Sequence, residues 1–153
     1  MATKGSDIND LFLTLVDDYK ITTLYQTSGS AVLTTYLESW LLYSINEFKD
    51  YCVQDLSYST VSQEFSVDLT QENMLILAQI MVKYWLMKEV QNVNQMSLHI
   101  QDHDFKTYSE AENLKEKRNL LNHKKEEISQ ILIDYGYKNN TWSDWFSQNF
   151  SGV

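Results

Sequence analysis

Apolar residues recur every three or four positions along most of the chain, the spacing that places them on one face of an α-helix. This spacing predicts helices over residues 7–20, 31–51, 70–91 and 109–135, separated by polar segments. The predicted apolar stripe of the second helix comprises Val32, Leu33, Tyr36, Leu37, Trp40, Leu41, Ile45 and Phe48. The predicted buried face of the fourth comprises Leu114, Leu121, Ile128, Ile131, Leu132 and Tyr135. The third segment differs because apolar residues nearly surround it. A helix of that kind lies at the centre of its own domain, or between its own domain and a partner.

Polar residues near the ends of these segments predict where the helices begin and end. The letters QTSGS predict a loop, and their last residue, Ser30, can cap the second helix. Thr70 can cap the third helix in the same way. Ser109 and Glu112 have the spacing of a capping box at the start of the fourth helix. Gly136 is placed to end that helix, because glycine is the preferred residue just past a helix.

Residues 56–69 depart from the helical spacing. β-branched and aromatic residues alternate loosely with polar ones there, which predicts one or two short strands. An isolated strand leaves its backbone N–H and C=O groups unpaired, so this segment must pair within the chain or with another subunit. We interpret it as an intersubunit arm whose contact residues are Tyr58, Val61, Phe65 and Val67.

The last fifteen residues predict a short helix that Thr141 caps. Its aromatic side chains fall on one face, at Trp142, Trp145, Phe146 and Phe150. Two interpretations are open: the helix folds back onto its own core, or it inserts into a groove on a partner. We favour partner docking, which divides the chain into a helical domain, residues 1–138, and a C-terminal aromatic docking tail, residues 139–153.

The composition favours helices over sheet. Proline is absent and glycine occurs only four times in 153 residues, too few for a protein built on tight hairpins. A chain of this length can form one sizeable core. We therefore predict a mainly α fold: a four- to five-helix bundle with a small β arm or hairpin at about residues 56–69 and a short aromatic C-terminal helix.

Charge and cysteine content exclude several classes of function. The net charge of −9 argues against general nucleic-acid binding, and the basic residues of the fourth helix read as a solvated face. A single cysteine, Cys52, allows no internal disulfide and favours a reducing compartment. The most apolar run, residues 74–87, is interrupted by Gln79 and Lys83 and is too short to cross a membrane.

One cluster could bind a metal, at His99, Asp102, His103 and Asp104. No further histidine or cysteine cluster completes a tetrahedral set, so a solvated acidic loop is the favoured reading over a zinc site. Glycine-rich phosphate loops and Gly-x-Ser-x-Gly motifs are absent. Cys52 ends an apolar helix and is read as a packing residue. We expect no enzyme activity, no metal and no cofactor; the rival is a metal-dependent enzyme built around His99, Asp102 and His103.

Two segments carry a resemblance to a known family. LTQENMLILAQIMVKYW, from Leu69, is followed by DFKTYSEAENLK, from Asp104, and then by a long helix. Together they resemble the head–tail connector proteins of tailed bacteriophages, also called adaptor, neck or head-completion proteins. The likeness covers about residues 68–137. Its anchors in the second segment are Phe105, Tyr108, Ser109, Glu112 and Leu114.

The resemblance implies a structural virion protein. Copies of the chain would form a ring, dodecameric in this family, beneath the portal protein, and would join the capsid to the tail or to a second neck protein. DNA would pass through the channel without specific binding, because an acidic wall repels phosphates. The resemblance implies no membrane partner; the protein would be made in the host cytoplasm and reside in the virion neck. The alternative is a small helical adaptor or regulatory module that binds another protein.

Overall fold

The computed structural model describes residues 2–16, 19–99 and 107–139. This part of the chain confirms a mainly helical fold with one small antiparallel hairpin. The predicted aromatic C-terminal helix lies outside the described residues. The described elements are α1 (Gly5–Leu15), α2 (Tyr19–Phe48), β1 (Tyr58–Ser59), β2 (Glu64–Phe65), α3 (Gln71–His99) and α4 (Thr107–Lys138).

The first part of α3 is the centre of the fold. It packs against α1, α2 and α4. Leu77, Ala78, Ile80 and Met81 are completely buried although they point in different directions around the helix axis. The chain's own helices therefore cover these positions, which explains why the segment is apolar on all sides. Of the two predicted explanations, a central position in the core holds for these residues.

α4 runs antiparallel to α3. Its buried face is Leu121, Ile128 and Tyr135, which are seven residues apart, together with Leu132. Three polar contacts connect the two helices in reverse order: Lys138 Nζ to Glu72 Oε1 at 2.9 Å, Lys124 Nζ to Gln79 Oε1 at 3.0 Å, and Lys117 Nζ to Glu89 Oε2 at 3.5 Å. Lys117 and Lys124 were predicted on a solvated face. Their side chains also contact α3 and so help to hold α4 against it.

The hairpin pairs within the chain. β1 and β2 are antiparallel, with Tyr58 opposite Phe65. The N-terminal residues extend this small sheet: Phe65 N–H donates to Thr3 O at 2.8 Å, and Gly5 N–H donates to Gln63 O at 2.9 Å. Backbone N–H and C=O groups of the hairpin therefore form hydrogen bonds with the first five residues of the same chain.

The four predicted arm residues occupy different environments. Phe65 is buried in the core, and Tyr58 and Val67 are half-buried against it. Val61, in the turn between the strands, is 95% exposed. Contact with another subunit stays a prediction, and among these four residues Val61 has the most surface available for it.

The first two helices differ from the predicted boundaries. α1 ends at Leu15 rather than residue 20, because Val16 has an extended backbone. The predicted loop at QTSGS is helical except at Gly29, whose φ of 80° and ψ of 174° interrupt α2. The helical stretches before and after are therefore separated by one glycine, in a conformation that other residues avoid, and not by the predicted loop.

The long helices also differ at their ends. Asn73 N–H donates to Thr70 Oγ1 at 3.3 Å, which confirms the predicted cap of α3. α3 continues eight residues beyond Gln91, since neither glycine nor proline interrupts that stretch. α4 begins at Thr107, so Ser109 is helical and is not its N-cap; a Ser-x-x-Glu spacing also fits one turn inside a helix. α4 ends at Lys138, two residues beyond Gly136.

We expect Gly29→Ala to lower the free energy of unfolding by about 1–3 kcal/mol, the usual cost of forcing a non-glycine residue into this backbone region. A Cβ at Gly29 would have no atom within 4 Å, so the whole loss comes from the backbone. Urea denaturation measures it. Ser39→Ala, at an exposed position of the same helix, is the control and should change stability by less than about 0.5 kcal/mol. If Gly29→Ala is as stable as the parent protein, the backbone of α2 is not interrupted at residue 29.

Candidate protein interface

A row of aromatic side chains follows the outer side of the α2–α3 pair. Tyr36, Trp40 and Tyr43 stand at i, i+4 and i+7 on α2, and Tyr84 and Lys88 stand at i and i+4 on α3. Both spacings place residues on one helix face. We call these five side chains the aromatic surface.

The rings of the aromatic surface contact one another in sequence. Tyr36 meets Trp40 edge-on, with ring centroids 5.7 Å apart. Trp40 lies 6.1 Å from Tyr43, and Tyr43 stacks on Tyr84 at 5.3 Å. The first and last pairs have the edge-on and stacked arrangements that aromatic rings favour, and the Trp40–Tyr43 pair is tilted at 40°. The contacts hold the rings in place, so a partner would meet a preformed surface.

Charged groups fix the row on the α3 side. Lys88 Nζ lies 4.5 Å from the ring centroid of Tyr36 and 5.5 Å from that of Trp40, a cation–π arrangement. Lys83 forms an ion pair with Glu47, and its ammonium also lies 4.5 Å from the Tyr84 ring. Burial, together with the hydrogen bond to Glu47 and its charge, raises the pKa of Tyr84 to about 12. The tyrosine therefore stays neutral and donates to the carboxylate.

The described residues only partly cover the aromatic surface. Tyr43 is 53% exposed, and Tyr36, Trp40 and Tyr84 are half-buried. Beside Tyr36, an open depression of about 520 Å³ on α2 includes the exposed Val32. Tyrosine and tryptophan are enriched in protein interfaces because they bring large contact area at low entropic cost. The chemistry of this surface therefore suits binding to another protein.

The apolar spacing grouped these residues differently. It predicted Val32, Tyr36 and Trp40 on one wide apolar stripe with Leu37 and Leu41. The structure divides that stripe, since Leu37 and Leu41 are buried in the core while Val32 is exposed. Tyr43 and Lys88 were missed entirely. The signal for them was an aromatic residue three positions after Trp40 and a cationic residue four positions after Tyr84, both on the same helix face as the residue before.

The five residues of the aromatic surface differ from the predicted site residues. Tyr108 and Ser109 belong to the first turn of α4, Glu112 is exposed, and Leu114 is half-buried against the core. Phe105 lies outside the described residues. So does the predicted docking tail: Trp142, Trp145, Phe146 and Phe150.

Groups able to do chemistry are sparse in the described part of the chain. Among the residues that the structure describes, no group of three or more His, Cys, Asp or Glu could hold a metal ion. Asp102, His103 and Asp104 of the predicted acidic loop lie outside those residues. Burial raises the pKa of the Cys52 thiol, whose sulfur lies 3.6 Å from Tyr135 Oη. A raised pKa lowers the thiolate fraction, so packing suits Cys52 better than nucleophilic chemistry.

Comparisons with known proteins add no relative. No family model, no curated protein and no solved structure matches this chain. Within the described residues, no helix combines the length and the apolar character needed to cross a bilayer.

Alkaline pH should destabilise the protein through two tyrosines. The folded-state pKa values of Tyr58 and Tyr84 are raised to about 12, from about 10 in an unfolded chain. The folded state therefore holds these protons more tightly, and the stability they contribute is complete below about pH 10 and is lost as the pH rises toward 12. Tyr84→Phe should flatten this loss, measured by urea denaturation at several pH values. An unchanged pH profile would show that folding does not raise the pKa of Tyr84.

Proposed function

We propose that this chain is a non-enzymatic structural subunit of a tailed-bacteriophage head–tail connector. Copies assemble into a ring beneath the portal protein, lengthen the DNA channel, and join the capsid to the tail or to a second neck protein. The likeness of residues 68–137 to connector proteins carries this proposal. The aromatic surface supports the mode of action, which is binding to other protein subunits.

The residues that carry the likeness have a clear structural role. Thr70 caps α3, while Leu77, Ala78 and Met81 are fully buried at the centre of the fold. Trp85 packs against the same core. The shared motif thus consists mainly of residues that start α3 and pack it against its neighbours. A protein of this class would keep them in order to present the same helical subunit to a ring.

A ring needs two different contact patches on each subunit, because each copy meets one neighbour on either side. We propose the aromatic surface as one patch. The hairpin turn with Val61 is the other, in keeping with its predicted role as an intersubunit arm. The aromatic tail, residues 139–153, would dock onto the portal protein. Deleting residues 141–153 should therefore leave a folded domain that no longer attaches to the portal.

Co-expression of the full chain with the portal protein of the same virus tests this proposal. We expect the two to co-purify as a ring on one face of the portal, visible by electron microscopy. Tyr43→Glu should abolish the ring, because it places a charge in the aromatic surface. Leu120→Glu is the matched control, since Leu120 on α4 is 54% exposed, close to the 53% of Tyr43. A portal that never retains the chain would refute the proposal.

The alternative is a helical adaptor that binds one protein partner. The aromatic surface fits this function equally well, because a single partner could cover it. Mass measurement of the assembled complex separates the two functions. A connector gives a closed ring of many copies, whereas an adaptor gives a small complex with one or two copies of the chain.

A further inference from the structure

An apolar groove of about 310 Å³ lies between α3 and α4. Leu75 and Ile76 of α3 and Ile131 and Tyr135 of α4 provide its apolar lining. Leu75 is 40% exposed, so the described part of the chain leaves the groove partly uncovered. Exposed apolar grooves of this kind commonly receive an amphipathic helix.

The chain leaves α4 at the end of this groove. Lys138 and Glu72 mark that end, and their side chains are paired at 2.9 Å. Beyond Lys138, the backbone N–H and the side-chain Nδ2 of Asn139 both donate to Tyr135 O at 3.0 Å, which closes the last turn. Asn139, the last residue that the structure describes, therefore lies next to a residue that lines the groove, Tyr135.

We infer that residues 142–150 of the same chain cover this groove. The lengths agree: Glu72 to Gln79 covers about 11 Å of α3, and residues 142–150 in helical form cover about 12 Å. The aromatic residues of this segment share one helix face and match the apolar lining. Its only charged side chain is Asp144, so the segment itself brings little charge to the groove, whose polar lining comprises Glu72, Gln79, Asp134 and Lys138.

The short connection favours the chain's own tail over the tail of a second copy. Three residues, 139–141, separate the end of α4 from Trp142. Short tethers give effective concentrations in the millimolar range, so a contact too weak to hold a separate peptide is still occupied. A tail from a second copy would have to reach the same groove at its much lower free concentration.

This inference concerns the free chain and does not rest on the proposed connector function. If both hold, the tail occupies its own groove before assembly and must leave it to dock on the portal. The groove and the portal would then compete for the same aromatic face. Weakening the groove contact should consequently tighten attachment to the portal.

Photo-crosslinking of the full-length chain tests this inference. Leu75→p-benzoylphenylalanine places a photoreactive group in the groove, and Gln79→p-benzoylphenylalanine is a second position should the first variant fail to fold by circular dichroism. An equal mixture of unlabelled and ¹⁵N-labelled chains is irradiated, and mass spectrometry locates the crosslinks. We expect crosslinks to residues 142–150 within single chains, at least about fivefold more frequent than from Leu120→p-benzoylphenylalanine on the exposed part of α4.

Two results would overturn the inference. Crosslinks between labelled and unlabelled chains would show that a second copy fills the groove. Crosslinks from positions 75 and 79 that do not reach residues 142–150 would show that the tail lies elsewhere. Neither result bears on the ring beneath the portal, so failure here is distinguishable from failure of the proposed function.

Discussion

Leu77→Ala should lower the free energy of unfolding by about 3–4 kcal/mol, measured by urea denaturation. Leu77 is 0% exposed, and its helix, α3, packs against the three other helices of the described chain. Truncation removes the free energy of burying the side chain and leaves a cavity. Helices on three sides cannot all shift to fill that cavity, so the loss lies well above the low end of the usual range of about 2–5 kcal/mol.

Leu120→Ala is the control for this loss. It makes the same chemical change in the interior of another helix, α4, at a side chain that is 54% exposed. We expect it to change stability by less than about 1 kcal/mol, because a surface truncation opens no cavity. Equal losses in the two variants would mean that α3 is not the centre of the fold.

Glu47→Leu should lower the free energy of unfolding by about 2–3 kcal/mol. Glu47 forms an ion pair with Lys83, and their side chains are only 24% and 11% exposed. Without the carboxylate, the Lys83 ammonium loses its ion pair and keeps the contact with the ring of Tyr84. Breaking a fully buried pair costs about 3–5 kcal/mol, and the partial exposure of this pair reduces that figure.

The double variant Glu47→Leu/Lys83→Met should recover to within about 1 kcal/mol of the parent, because no charge is then left without its partner. The Tyr84 hydroxyl still lacks its acceptor, but Tyr84 is only half-buried and its hydroxyl can bond to water instead. The coupling between the two sites is the quantity that the double-mutant cycle measures. Glu127→Leu is the control: Lys124 loses Glu127 but keeps its hydrogen bond to Gln79, so we expect a loss of about 0.5 kcal/mol or less. A double variant as unstable as Glu47→Leu alone would refute the charge explanation.

The sequence predicted the helical elements because their signals are local. Apolar spacing placed α3 and the buried face of α4 correctly, including Leu121, Ile128 and Tyr135. Thr70 was identified as a cap from its position alone, and the structure gives it that hydrogen bond. Residues 56–69 were predicted as a small β element. Each of these features depends on residues a few positions apart.

The ends of the helices were harder to predict, since competing signals are weak there. Serine and glycine are typical of helix ends, yet Ser109 and Gly136 both lie inside α4. The packing of Tyr135 against Phe48 and the pairing of Lys138 with Glu72 hold the last turns in place. A glycine inside a helix costs about 1 kcal/mol, which such contacts offset.

Tertiary structure decided which apolar positions the chain covers. Tyr36 and Leu37 are adjacent in sequence and belong to the same predicted apolar stripe, but Leu37 is buried in the core whereas Tyr36 is only half-buried against it. The pairing of Thr3 with Phe65 likewise joins residues far apart in sequence. The sequence by itself determined a helical chain with a short β element, because helix and strand patterns are read from neighbours a few residues away. The aromatic surface and the α3–α4 groove depended on which helices pack together, and no local pattern contains that information.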